Sequence, residues 1–171
     1  VYYHKKMIKG EVTVSLQKVK EYFAQYGMAE RIIVFDVSSA TVELAAQALG
    51  CAPERIAKTL SFQLKKADKT ILIVAAGDAK VDNTKFKQTF HERALMLKVD
   101  TVVEKVGHPI GGVCPFAIPS DVLVYLDESL KRFETVFPAC GDSNSAIELT
   151  IPELETYANT QHWVDVCNNW A

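Results

Sequence analysis

Two stretches of this 171-residue sequence carry residues whose types and placement could do chemistry. In the first, Ile56 to Lys65, Thr59, Ser61 and Gln63 alternate with Leu60, Phe62 and Leu64. That alternation predicts a half-buried strand and puts Lys58 on its apolar face, in phase with Leu60. A lysine among apolar neighbours is costly unless its ammonium reaches water or meets an anion. The second stretch, Val106 to Pro119 (VGHPIGGVCPFAIP), holds three glycines and three prolines, which excludes an ordinary helix or central strand. Gly111 and Gly112 permit backbone conformations that expose N–H groups, and Pro115 stiffens the loop. Such a loop can offer amide donors to a carbonyl or phosphate oxygen. Taken singly, a strand-start lysine reaching water and a purely structural turn are the competing readings.

Other chemistries find little support. No glycine-rich phosphate motif is present. His4, His91, His108 and His162 share no metal-ligand spacing, and Cys51, Cys114, Cys140 and Cys167 contain no C-x-x-C pair, so neither a metal nor a cofactor is expected. Four scattered thiols without an export signal suit a reducing cytoplasm. No Ser or Cys stands in a nucleophile elbow. Cys114, inside the Gly/Pro loop, is the thiol whose setting suggests a nucleophile, and a small buried hydrophobe is its alternative role.

The elements that must position these residues follow from periodicity. A helix is expected over Ser15 to Tyr26, with Leu16, Val19, Tyr22 and Phe23 on one side, and a short strand over Arg31 to Asp36. Ser38 or Ser39 would cap a helix running to Gly50. Thr70 to Ala76 returns from the Lys58 strand as a hairpin. A helix is expected from Asn83 to Leu97, with Phe86, Phe90, Ala94 and Leu97 inward. Strands follow over Val122 to Asp127, Thr135 to Cys140 and Ala146 to Thr150. A helix begins at Ile151, with Pro152 in its first turn, and His162 to Cys167 is a last strand. The order is not a regular βαβ alternation. It argues for one α+β domain over residues 1–171, a mixed, partly barrel-like β-sheet flanked by helices, with residues 1–14 as an N-terminal extension.

Composition agrees with a globular domain: 49% hydrophobic residues, 23% charged, formal net charge −2. No apolar run approaches the ~18 residues of a membrane helix. The charge is uneven. Phe133 to Ala171 holds six acidic residues and no Lys or Arg, leaving 19 basic against 15 acidic residues before it, a net +4. A polyanion could meet the basic part while the acidic end faces elsewhere; chance clustering on solvated surfaces is the alternative.

In order, Lys58-Thr59-Leu60, the Gly111 to Pro115 G-x-x-x-P loop, and the Gly141 turn before Ile147-Glu148-Leu149 resemble the YbaK family, the editing-domain family also found inserted in bacterial prolyl-tRNA synthetases. The resemblance covers about Phe35 to Trp163. It implies an aminoacyl-tRNA deacylase acting in trans, which hydrolyses the ester of a mischarged tRNA. A small amino acid would be removed, with tRNA for proline the first candidate. It further implies catalytic roles for Lys58 and Gly111, and substrate contacts from Thr59, Gly112, Val113, Cys114, Pro115 and Gly141. Mischarged tRNA, and an aminoacyl-tRNA synthetase beside it, would be the partners; no metal or cofactor would be needed, and the location would be cytoplasmic. Two departures stand out: Ala146 where some members carry an acidic residue, and Gly141-Asp142-Ser143-Asn144 in place of a G-K-R-G type turn. A noncatalytic module holding tRNA ends or a small ligand, and an inactive synthetase partner, are the alternatives. On the catalytic reading, Lys58→Ala would abolish turnover and leave melting nearly unchanged.

Overall fold

The computed structural model describes residues 13–38 and 40–171. The centre is a long hairpin: β2 (Ile56–Leu64) runs antiparallel to β3 (Lys69–Ala76), with Lys58 opposite Ala75 and Thr59 opposite Val74. β5 (Leu123–Asp127) extends the sheet parallel to β3, and β9 (His162–Val164) lies parallel to β5. On the other side β6 (Thr135–Pro138) meets only the start of β2, in parallel, and β8 (Leu149–Thr150) pairs antiparallel with β6. The order β8-β6-β2-β3-β5-β9 is therefore a mixed sheet in an α+β fold, as the sequence pattern implied.

Both faces of this sheet are covered, which explains why β3 is an unbroken apolar run rather than an alternating one. Leu72, Val74 and Ala76 enter one core with Leu16, Val19 and Phe23 of α1 (Val14–Ala24), Val124 and Leu126. Ile71, Ile73 and Ala75 enter a second core with Phe62, Leu64 and Phe86. Thr13 and Val14, grouped above with the extension, belong to the fold: the Thr13 hydroxyl accepts from Leu16 N and donates to Asp142. Residues 1–12, His4 among them, lie outside the described residues, as does Ser39.

Several expectations are corrected. The helix ending at Gly50 is α2 (Val42–Leu49), and its cap is Thr41, whose hydroxyl accepts from Leu44 N. The helix from Asn83 stops at Phe90 (α3, Asn83–Phe90), because His91 turns left-handed at φ 62° and closes it. Residues 95–97 instead run extended along β2: Gln63 N donates to Leu95 O and Leu97 N to Ser61 O. Ala94 and Leu97 still pack inward, so the burial pattern held although the helix did not. A further helix, α4 (Val99–Val106), has no counterpart in the sequence pattern; four β-branched residues in its first five disguise it.

Short strands diverge similarly. Arg31 to Asp36 contracts to β1 (Ile32–Val34), a largely exposed edge paired with β7 (Ser145–Ile147). The strand expected over Ala146 to Thr150 splits at Glu148 into β7 and β8, which serve different sheets. The final strand likewise splits into β9 and β10 (Cys167–Asn168); β10 pairs with β4 (Lys80–Val81). Buried Asp127 makes this turn possible: its carboxylate accepts from both Ser129 N and Val166 N. The helix from Ile151 is α5 (Ile151–Tyr157), closed by a reciprocal capping box between Thr150 and Glu153.

The acidic end does not face away from the basic part. Glu153 pairs with Arg31, Glu148 with Arg55 and Asp165 with Lys85, so three of its six carboxylates are joined to cations of the first 132 residues.

Candidate active site

Between Ala57, the last residue paired with β6, and Ser61, where residues 95–97 begin to pair, the outer edge of β2 has no strand neighbour among the described residues. A cleft of about 320 Å³ opens there. Its floor is β2 from Ile56 to Ser61; α2, Met96, Leu97, the Ile110–Gly111 turn, Val113, Phe137 and the start of β7 form the walls. Apart from Lys58, no ionisable side chain among the described residues lines it.

Lys58 lies at this cleft, but its ammonium is already engaged. Nζ donates to the carbonyl of Gly77 at 3.2 Å and, more closely, to that of Ala79. The turn bearing these carbonyls is itself fixed: Asp78 pairs with Arg132 at 2.6 Å, and Arg132 in turn lies over the rings of Phe133 and Trp170. Burial lowers the Lys58 pKa, opposed by the charges of Asp78 and Glu43. Lys58 thus has a structural task too. The expectation that Lys58→Ala leaves melting nearly unchanged is revised, since a hydrogen bond from a charged donor contributes about 1.5–3 kcal/mol.

Thr59, Gly111 and Val113 join Lys58 in the cleft wall; Gly112, Cys114, Pro115 and Gly141 do not. The two adjacent glycines have different constraints. Gly111 takes φ +89°, and a Cβ there would meet Ala40 at 3.2 Å and Ser143 at 3.4 Å. Gly112 has ordinary φ, yet a Cβ would fall 2.4 Å from the backbone of Asp142, and its N–H donates to Pro109 O. Gly141 similarly admits the backbone of Ser15 in α1, where a Cβ would lie 2.7 Å from its carbonyl oxygen. These glycines lock the Gly/Pro loop, the 141–144 turn and α1 together. Pro115 faces a separate surface depression beside Tyr22, Tyr26 and Tyr157.

Cys114 is fully buried in the first core. Burial pushes its thiol up to about 12, and the neighbouring His108 down to about 4. His108 Nε2 lies 2.7 Å from Phe116 O, which makes it the protonated donor nitrogen of a neutral ring and leaves it no lone pair for the Cys114 thiol. The substrate-contact role expected for Cys114 has no route to the cleft, and a thiolate is not formed there.

Ser145 is the residue that sequence reading missed. It follows the Gly141 turn in sequence, and nothing local distinguishes it from Ser143. In the fold it begins β7, is 2% exposed and lines the cleft, and its Oγ has no hydrogen-bond partner. Thr59 Oγ1, in the same cleft, is buried and unpartnered as well. Leaving a hydroxyl in this state costs about 1–3 kcal/mol, so two in one cleft mark a place where a ligand completes the structure.

Fold and cleft together define a catalytic or binding scaffold built around an open strand edge. The aminoacyl-tRNA editing domain model matches residues 37–157, and the chain belongs to that family. It is 54% identical to the uncharacterized protein YwhH of Bacillus subtilis (strain 168), over 92% of this chain and 99% of that one. It is 28% identical to the proline–tRNA ligase of Thermosipho melanesiensis over 80% of this chain but 24% of the ligase. A solved structure of a candidate trans-editing enzyme for prolyl tRNA synthetase superposes with a TM-score of 0.82 at 25% identity, covering 92% of this chain and 99% of that one. Among the described residues no helix is long and apolar enough to cross a membrane, and no three His, Cys, Asp or Glu side chains gather as a metal site.

Proposed function

We propose that this protein is an aminoacyl-tRNA deacylase that acts in trans, hydrolysing the ester between a small amino acid and the 3′ adenosine of a mischarged tRNA, with tRNA for proline the first substrate to test. The observation that carries this reading is the cleft at the open edge of β2, where, among the described residues, one cation, Lys58, and the backbone of Gly111 and Val113 stand in largely apolar surroundings broken by a few hydroxyls. An ester going to its tetrahedral intermediate develops an oxyanion. A cation and preorganised amides in a water-poor cleft stabilise that charge where bulk water would screen it. The volume is near the lower limit of the ~300–1,000 Å³ typical of small-molecule sites, so the aminoacyl group enters while the tRNA body stays outside.

Among the described residues no carboxylate, imidazole or thiol lines the cleft, and on this reading the attacking oxygen comes from water or from a group of the substrate itself. Lys58 serves by charge. Its ammonium, held by the Gly77 and Ala79 carbonyls, is aligned before the substrate arrives. Amides of the Gly111–Val113 turn, with the exception of the committed Gly112 N–H, supply the remaining donors.

Single-turnover deacylation of a panel of misacylated tRNAs, tRNA for proline included, tests the proposal. Wild type is expected to hydrolyse at least one member of the panel. Lys58→Ala should lose at least ~100-fold, the scale of removing one oxyanion donor. Binding of tRNA without turnover would favour a noncatalytic tRNA-end module or an inactive synthetase partner instead.

A further inference from the structure

Ser145 and Thr59 place two unpartnered hydroxyls in a cleft whose other described lining is mostly apolar, apart from Lys58, Thr41 and Ser61. Ser145 is placed by strand pairing opposite Val34 of β1 and is 2% exposed, so its hydroxyl is kept from bulk water. Neighbouring Ala146 bridges to Ala139, and both line the cleft beside it. The chemistry of what these hydroxyls would take is restricted by their surroundings. Among the described residues no carboxylate lines the cleft to balance a cationic side chain beyond the α-amine common to every aminoacyl ester, and Lys58 would repel one. A purely accepting anion would be drawn to Lys58 rather than to the hydroxyls. A neutral hydroxyl both donates and accepts, and rotating Ser and Thr hydroxyls can satisfy both functions.

We propose that Ser145, together with Thr59, is a specificity determinant that recognises a neutral hydroxyl on the aminoacyl-adenosine end. The hydroxyl belongs either to the aminoacyl side chain or to the terminal ribose. This proposal rests on the deacylase reading for its choice of ligand. The physical basis is the asymmetry of buried polar sites: a ligand that lacks the hydroxyl fills the space but leaves Ser145 and Thr59 unpaired, and is disfavoured for that reason.

The test uses non-hydrolysable 3′-aminoacylamido-adenosines, so binding is read without turnover. The seryl and alanyl amides differ by one side-chain hydroxyl; each is made with the ribose 2′-hydroxyl and as its 2′-deoxy form. Titration calorimetry is run on wild type and Ser145→Ala. Wild type should bind one hydroxyl-bearing compound roughly ten-fold more tightly than its partner lacking that group, the scale of one buried hydrogen bond. Ser145→Ala should bind both members of that pair alike, and the compound lacking the hydroxyl should bind wild type and variant alike. Discrimination between seryl and alanyl places the hydroxyl on the amino acid; discrimination between ribose and deoxyribose places it on the adenosine.

The unliganded variant gives a second readout. Removing an unpartnered hydroxyl should leave the Tm unchanged or raise it. A fall in Tm would show that Oγ already has a structural partner, and would overturn the proposal. So would wild-type binding of all four compounds within two-fold, failure of any compound to bind, or discrimination retained by Ser145→Ala. Discriminating binding without turnover of any aminoacyl-tRNA would leave this proposal standing and remove the deacylase.

Discussion

The Gly/Pro loop presents two unlike faces. Toward the cleft it shows Ile110, Gly111 and Val113; toward the core it shows His108, Cys114 and Phe116, all fully buried. Buried polar atoms without partners occur on both sides. Thr59 and Ser145 belong to the lining of a space that a ligand can enter, whereas His108 lies wholly inside packed side chains. The same kind of orphan therefore has two meanings. Beside a cleft it is a recognition element. Inside a core it holds a histidine neutral, and the reactive-looking Cys114–His108 pair becomes inert packing.

Substitutions in the loop can break or sharpen that contrast. The largest effect is expected from Gly112→Ala, whose new Cβ would press on the Asp142 backbone at 2.4 Å. Overpacking against main chain should cost roughly 3 kcal/mol or more, read by urea denaturation. Stability within 1 kcal/mol of wild type would show that the loop and the 141–144 turn are not locked together.

Acid should reveal the core face. His108 titrates near 4 when folded against 6.5 as its ordinary value, so the unfolded chain binds the extra proton first. Stability from the neutral ring is therefore fully present above pH 6.5 and declines as pH falls toward 4, by about 3 kcal/mol in all. Glu153, held to about 2 by its hydrogen bonds from Arg31, loses its contribution only below about pH 4.5. Melts between pH 7.5 and 5 should fall steadily in wild type and more shallowly in His108→Gln. Parallel curves would refute the enclosed neutral histidine.

Gly111→Ala should cost about 1–2 kcal/mol from its left-handed backbone, with modest pressure on Ala40 and Ser143. Because this glycine lines the cleft, its loss of deacylation should exceed its loss of stability, the reverse of Gly112. The smallest effect belongs to Cys114→Ala. Removing a buried sulfur should cost about 1 kcal/mol of stability and leave turnover within two-fold, measured by single-turnover deacylation beside a thermal melt. A dead Cys114→Ala enzyme with a normal melt would make the loop a nucleophile carrier.

Much of the hairpin and its lysine was legible because the evidence for them is local. Alternation in Ile56 to Lys65 and the apolar run of β3 each specify a strand from side-chain period alone, and Lys58 stands out as a cation in the wrong phase. α1 is equally plain from spacing, and α5 from Pro152 in its first turn. The helix expected through Leu97 failed for a different reason: residues 91–97 have helical periodicity, but the open edge of β2 offers hydrogen bonds to an extended chain, and His91 can turn left-handed to reach them. The split at Glu148 likewise depends on two separate sheets competing for adjacent residues.

By itself the sequence determined the α+β class, the central hairpin, the Gly/Pro loop and the cation that heads the candidate site. Those follow from composition, period and residue chemistry, which act over a few positions. Only the tertiary structure decided which loop residues meet the cleft, that Lys58 is anchored by two carbonyls, that Cys114 is sealed away, and that Ser145 is a buried hydroxyl in need of a partner. Each depends on contacts between segments tens of residues apart, and on which atoms are left unpaired once every strand has found its neighbour.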